Sequence, residues 1–240
     1  MKSNYINYDY LKSFDRIDNI IKNSYNYEEL NYIPSRDKLT YSNGFYVNCS
    51  AMFVDIRGSS KLPDIHRRPK LAKLYRAYVS EVVSVMNGNP CCIEVNIVGD
   101  CVSGIFDTKT KPIIDLVFST AAQISSLIDV MNHKFKKNDI ETIEVGIGIS
   151  YGRALMVKAG YDGSGINDVV WMGDVVNEAA NLCSCGNKEL YDLRIMVSES
   201  IYINLNEDNK ELLCKNNNRG CYHGSVVASN MNEWYRENCK

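Results

Sequence analysis

The chain has 240 residues, 45% hydrophobic and 23% charged, proportions that allow one sizeable buried core and exclude a disordered or fibrous chain. Its formal net charge of -2 supplies no global field for a nucleic-acid polymer or an anionic membrane surface, so a charged ligand must be held by a local site. The opening stretch lacks the apolar core and small-residue cleavage site of a signal peptide, and no apolar run approaches the ~20 residues of a membrane span, so a cytoplasmic location is expected.

Nine cysteines, an odd number without secretory context, read as reduced thiols. The close pairs Cys91 with Cys92 and Cys183 with Cys185 lack the two-residue gap of a zinc knuckle. His66, His133 and His223 are scattered, so zinc is not expected.

Residues 1–44, rich in Asn and Tyr, read as a short N-terminal helical and loop extension, with one helix over Tyr10 to Ile21 and a loop through Pro34. Residues 45–240 form the main domain. An apolar strand runs from Phe45 to Val54. Leu71, Leu74, Tyr75, Tyr78, Val82, Val85 and Met86 then follow helical spacing. "CCIEVNIVGDCVSGIF" reads as two strands joined at Gly99 and Asp100, a pair suited to a tight hairpin. Ile114, Val117, Phe118, Ala121, Ile128 and Met131 mark a second helix.

"TIEVGIGISYG" and "RALMVKAG" predict two further strands, followed by the glycine-rich loop "YDGSGIND". "VVWMGDVVNEAANLCSCG" predicts a strand end and a helix closed by Gly186. "LRIMVSESI" reads as a last strand. The order is strand, helix, strand, strand, helix, strand, strand, helix, strand. That is an α+β fold with a ferredoxin-like αβ sandwich at its core.

The first strand and the first hairpin are neighbours in this topology, so Asp55 and Asp100 converge at adjacent strand ends. Singly, Asp55 fits a helix cap and Asp100 a hairpin turn. Together they are a hard-oxygen pair suited to Mg²⁺ or Mn²⁺, two ions per site, with nucleotide phosphates completing the shell. After Asp55, Arg57, Gly58, Ser59 and Ser60 lead toward a helix whose free N–H groups attract phosphate, and Gly58 lets a triphosphate approach the main chain. Gly58 and the serines also fit an ordinary turn.

These residues carry a resemblance to the class III nucleotidyl cyclase catalytic domain over roughly Tyr46 to Ser198. "FVDIRGSS" resembles the metal motif of that family, "VNIVGDCV" its Gly-Asp segment, and "WMGDVVNEAANL" its V-N-x-A helix. The resemblance makes residues 45–240 the catalytic domain. It implies that Asp55, the Ile56 carbonyl and Asp100 hold the metals, and that Asn177 orients the ribose from the partner subunit of a head-to-tail homodimer with shared active sites.

Departures from the family pattern narrow the substrate. Asn96 and Val170 replace the pair that reads purines, Ser59 replaces an aromatic, and Asn181 replaces the Arg that contacts the transition-state phosphate. Arg57, Arg153, Lys158, Lys215 and Arg219 are candidates for the missing charge. The neutral Asn96, with the segments "YIPSRDKLT" and "AGYDGSGINDVVWMGD", resembles the pyrimidine nucleotide cyclases of the Pycsar antiphage system. That implies a nucleoside triphosphate substrate, CTP or UTP, cyclised to cyclic CMP or cyclic UMP, with a separate effector protein reading the product. A weak or inactive regulatory homologue and a purine cyclase are the alternatives. The absence of a GG(D/E)EF turn speaks against a diguanylate cyclase.

Overall fold

The computed structural model describes residues 3–65 and 68–239; His66 lies outside them. In chain order the elements are α1 (Tyr10–Lys22), β1 (Asn26–Leu30), β2 (Asn43–Ile56), α2 (Leu62–Ile65), α3 (Arg68–Asn87), β3 (Cys92–Val98), β4 (Cys101–Phe106) and α4 (Lys111–Lys136). They continue with β5 (Val145–Tyr161), β6 (Ile166–Met172), α5 (Asp174–Cys185), β7 (Ile195–Val197), α6 (Glu199–Asn204), α7 (Glu207–Glu211), β8 (Cys214–Asn216), β9 (Cys221–Gly224) and α8 (Ser229–Asn238). The fold is α+β, with two compact units: residues 1–48 with 153–173, and residues 49–152 with 174–240.

In the larger unit the strand order is β3-β4-β2-β5-β7-β9-β8. β2 pairs antiparallel with β4, Ser50 opposite Phe106 and Val54 opposite Val102. β3 and β4 form the expected hairpin, turned by Gly99 at φ 64°. Alternation along β5 sorts its side chains by face. Val145, Ile147 and Ile149 join the main core with α3 and α4, whose Leu74, Tyr78, Val82, Met86, Val117 and Phe118 are buried there.

Gly146 and Gly148 face the other way, onto α5. A Cβ on Gly148 would lie 2.1 Å from the Ala179 carbonyl oxygen and from the Cys183 nitrogen, so only glycine lets this helix lie on the sheet. Met196, between the core residues Ile195 and Val197, packs on Leu182 and Cys221 on the same face as α5. α4 averages a hydropathy of 1.5 over 18 residues, more apolar than the sequence reading allowed, and over half of that window is buried inside the protein.

The smaller unit has its own cluster of Leu39, Phe45, Val47 and Met156, joined by Leu30, Ile33, Val169 and Trp171. β1 runs parallel to the first half of β2, and the second half of β5 pairs antiparallel with β6. α1 spans nearly the expected residues. It buries none of them, and Arg16 lies over the Tyr161 ring at 4.7 Å.

Three expectations change. "TIEVGIGISYG" and "RALMVKAG" form one strand of 17 residues, because Gly152 sits in extended backbone and breaks nothing. "LRIMVSESI" supplies only a three-residue strand, since Ser198 accepts from the Ile201 N–H and caps α6. After Gly58, at φ 65°, comes a 3-10 turn over Ser59–Lys61 and the four-residue α2, rather than an immediate long helix. β1, β8, β9 and the helices after β7 carried no periodic signal long enough to be read.

Candidate active site

Asp55 is the next-to-last residue of β2, and Asp100 sits in the turn after β3. Register places Val54 opposite Val102, so the two carboxyls meet at one end of adjacent strands. They are close enough for the charge of Asp100 to act on Asp55. The Asp55 carboxyl is raised above its ordinary value, first by burial and then by the charge of Asp100, with Arg57 opposing. Asp100 Oδ2 is buried and has no hydrogen-bond partner among the described residues.

A raised carboxyl beside a second one with an orphaned oxygen is a donor set that fits hard divalent cations. No group of three or more His, Cys, Asp or Glu side chains suited to a metal occurs among the described residues. Main-chain oxygens such as that of Ile56, water or substrate would have to complete the shell of such a cation. Tyr78 supports the strand end from α3, its hydroxyl donating to the Val54 carbonyl at 3.2 Å.

Arg57 turns back on this end of the strand. Its Nη2 donates to Asp55 Oδ2 at 3.1 Å and its Nη1 to the Ser184 carbonyl at 2.9 Å, bridging the carboxylate and the C-terminal turn of α5. Gly58 carries the left-handed backbone of the turn, Ser59 is partly buried, and Ser60 is exposed. Asn96 lies on β3, partly buried, opposite Ser103; its Nδ2 donates to Glu94 Oε1 at 2.8 Å. Val170 is 39% exposed on β6, opposite Val157, in the smaller unit rather than the unit that holds Asp55 and Asp100.

Asn177 and Asn181 are both exposed on α5, four residues apart, while Val175, Ala179, Leu182 and Cys183 bury the other face. The two amides line a groove of about 470 Å³ with Asp174, Glu178 and Arg219. Arg219 is thus the one of the five candidate cations that shares a groove with Asn181. It is held there by Asp192, accepting from Arg219 Nη2 at 2.8 Å. Arg153 instead pairs with Glu29 and lies over Tyr46, and Lys158 lies over Tyr41, all within the smaller unit. Lys215 is exposed on β8. Sequence reading could not single out Arg219, because the short β8–β9 hairpin that presents it leaves no pattern.

A compact αβ unit with a carboxylate pair at adjacent strand ends and a polar helix face is the frame of a nucleotidyl cyclase. The chain belongs to the adenylate and guanylate cyclase catalytic domain family, whose model matches residues 42–232. It is 40% identical to a uridylate cyclase of Gulbenkiania mobilis over 260 residues, covering 99% of this chain and all of that one. It is likewise 40% identical to a uridylate cyclase of Treponema porcinum over 231 residues, covering 95% of this chain and 80% of that one. Among solved structures, the adenylyl cyclase CyaB from P. aeruginosa shares the fold with TM-score 0.60 and 21% identity, over 71% of this chain and 84% of that one.

Proposed function

We propose that this enzyme is a pyrimidine nucleotide cyclase that converts UTP to 3′,5′-cyclic UMP and pyrophosphate. The observation that carries the reading is the meeting of Asp55 and Asp100 at adjacent strand ends, in a chain 40% identical along nearly its whole length to uridylate cyclases. In this reading Asp55, Asp100 and the Ile56 carbonyl hold two Mg²⁺ or Mn²⁺ ions. When bound, these ions neutralise the triphosphate and ease loss of the ribose 3′-OH proton.

The residues of the chain do the rest. Arg57 restrains the Asp55 carboxylate, and Gly58, Ser59 and Ser60 shape the turn against which the phosphates lie. Asn96, with one N–H spent on Glu94, keeps one N–H and its carbonyl, which complement a carbonyl and the N3–H of uracil. Cytosine also offers a donor beside an acceptor, so the choice of UTP over CTP rests on the relatives. Val170 is assigned to the base-facing set on the resemblance of its motif.

Asn177 orients the ribose ring from the partner subunit of a homodimer, and Arg219 supplies the positive charge that Asn181 lacks. Residues 45–240 form the catalytic domain, with residues 1–44 as an extension. The wider reading is a cytoplasmic second-messenger enzyme in antiphage defence, whose product is read by a separate effector.

Incubating the purified protein with ATP, GTP, CTP and UTP in turn, with Mn²⁺, and separating products by mass tests the reading. Cyclic UMP as the main product is expected. Cyclic AMP or cyclic GMP alone would overturn it. No product from any of the four would favour the second reading, a nucleotide-binding regulatory homologue, which the uncharged Asn181 supports.

A further inference from the structure

Away from the carboxylate pair, α3 and α4 diverge around a cavity of about 490 Å³, within the size range of small-molecule sites. Its floor is apolar, formed by Ala77, Leu127, Val130, Met131, Phe135 and Ile140. Lys70 and Lys73, from the start of α3, lie at one end, and Lys134, from the last turn of α4, also lines the cavity. The Lys70 ammonium donates to the Asp139 carbonyl at 2.7 Å, which ties this end of α3 to the chain just after α4 without cancelling the charge. The one carboxylate of the lining, Glu81, lies eight residues beyond Lys73, about 12 Å farther along the helix.

Leu127 and Val130 also line a separate, smaller groove of about 230 Å³ with Met231 and Trp234. Lys134 stands over that indole at 5.9 Å. The cavity is therefore apolar along its floor, with Lys70 and Lys73 at one end and Lys134 turned toward the neighbouring groove. An anion-headed amphiphile satisfies both features, whereas an inorganic anion would leave the floor empty and a neutral hydrocarbon would leave the ammonium groups unmatched.

We propose that this cavity binds a free medium-chain carboxylate, its head at Lys70 and Lys73 and its aliphatic tail over Ala77, Met131 and Leu127. None of the residues assigned to the nucleotide lines it, so binding does not depend on the cyclase reading.

Decanoate, titrated into the full chain and followed by calorimetry, is the test. Saturable one-to-one binding is expected, at least fivefold tighter than decanol or decyltrimethylammonium. K73E should weaken decanoate at least fivefold, and V130W, which fills the cavity without touching charge, should do the same. Thermal melts of both variants check the fold. No saturable binding, comparable affinity for the cationic amphiphile, or less than a fivefold loss in either folded variant would overturn the proposal.

Discussion

Gly148 of β5 and Ala179 of α5 approach so closely that a methyl group on the glycine would lie 2.1 Å from the Ala179 carbonyl oxygen. This contact sets the height of α5 above the sheet, and with it the positions of Asn177 and Asn181. Gly148→Ala should cost about 1–3 kcal/mol or more, because neither backbone can yield as a flexible side chain would. Gly152→Ala is the control, since its Cβ meets only Val175 at 3.5 Å. Urea unfolding should separate the two variants, and turnover should fall in Gly148→Ala alone. Equal stability of the two would show that α5 is free to move.

Asp55→Asn and Asp100→Asn each remove one charge from a repelling pair. In metal-free buffer, Asp55→Asn should therefore be at least as stable as the wild type. Turnover of both variants should nevertheless fall by on the order of 10² to 10³ or more, the scale of losing one preorganised transition-state contact. Either variant turning over within about tenfold of wild type with cation still bound would reduce that carboxylate to a cap or turn residue.

If Asn177 serves the site of the partner subunit, Asp55→Asn and Asn177→Ala should each be inactive alone yet complement when subunits exchange. With random exchange half the dimers are mixed and each holds one unmutated site. Recovery of up to about a quarter of wild-type activity is then expected. Exchange verified by mass, with no recovery, would make the Asn177 face an ordinary surface.

His223 is buried, and its Nδ1 accepts from the Leu193 N–H at 3.2 Å, which favours the neutral ring. Burial lowers its pKa below 6.5, with the Asp192 charge partly opposing. The unfolded chain therefore binds more protons between that lowered value and 6.5. The stability this histidine contributes is full above pH 6.5 and is lost as pH falls through the window. His133 shifts the same way, through burial and the charges of Lys137, Lys134 and Lys136, so the wild-type slope alone does not isolate His223. His223→Asn, which keeps an acceptor but no titration, should flatten the fall in thermal midpoint between pH 7.5 and 5.5. An unchanged slope would remove His223 from the account.

Several elements carry a signal that is entirely local. The helical spacing of Leu74, Tyr78, Val82 and Met86, the alternation along β2, and the Gly99–Asp100 turn are set by neighbours within a few residues. Asp55, Asp100, Asn177 and Asn181 were legible because each stands out against such a pattern: a carboxylate ending an apolar strand, a polar pair on one helix face. Other features depend on partners far along the chain. β5 is one strand because its whole length finds pairing partners, and "LRIMVSESI" is cut short because Ser198 caps a helix instead. Gly146 and Gly148 read as strand residues, but their lack of side chains acquires meaning only when α5 lies across them. Arg57 turning to Asp55 and Ser184, Arg219 held by Asp192 beside Asn181, and lysines from two helices lining one cavity are likewise long-range facts. Local propensity carries no record of them, because a side chain's direction in space follows from packing that residues over a hundred positions apart complete.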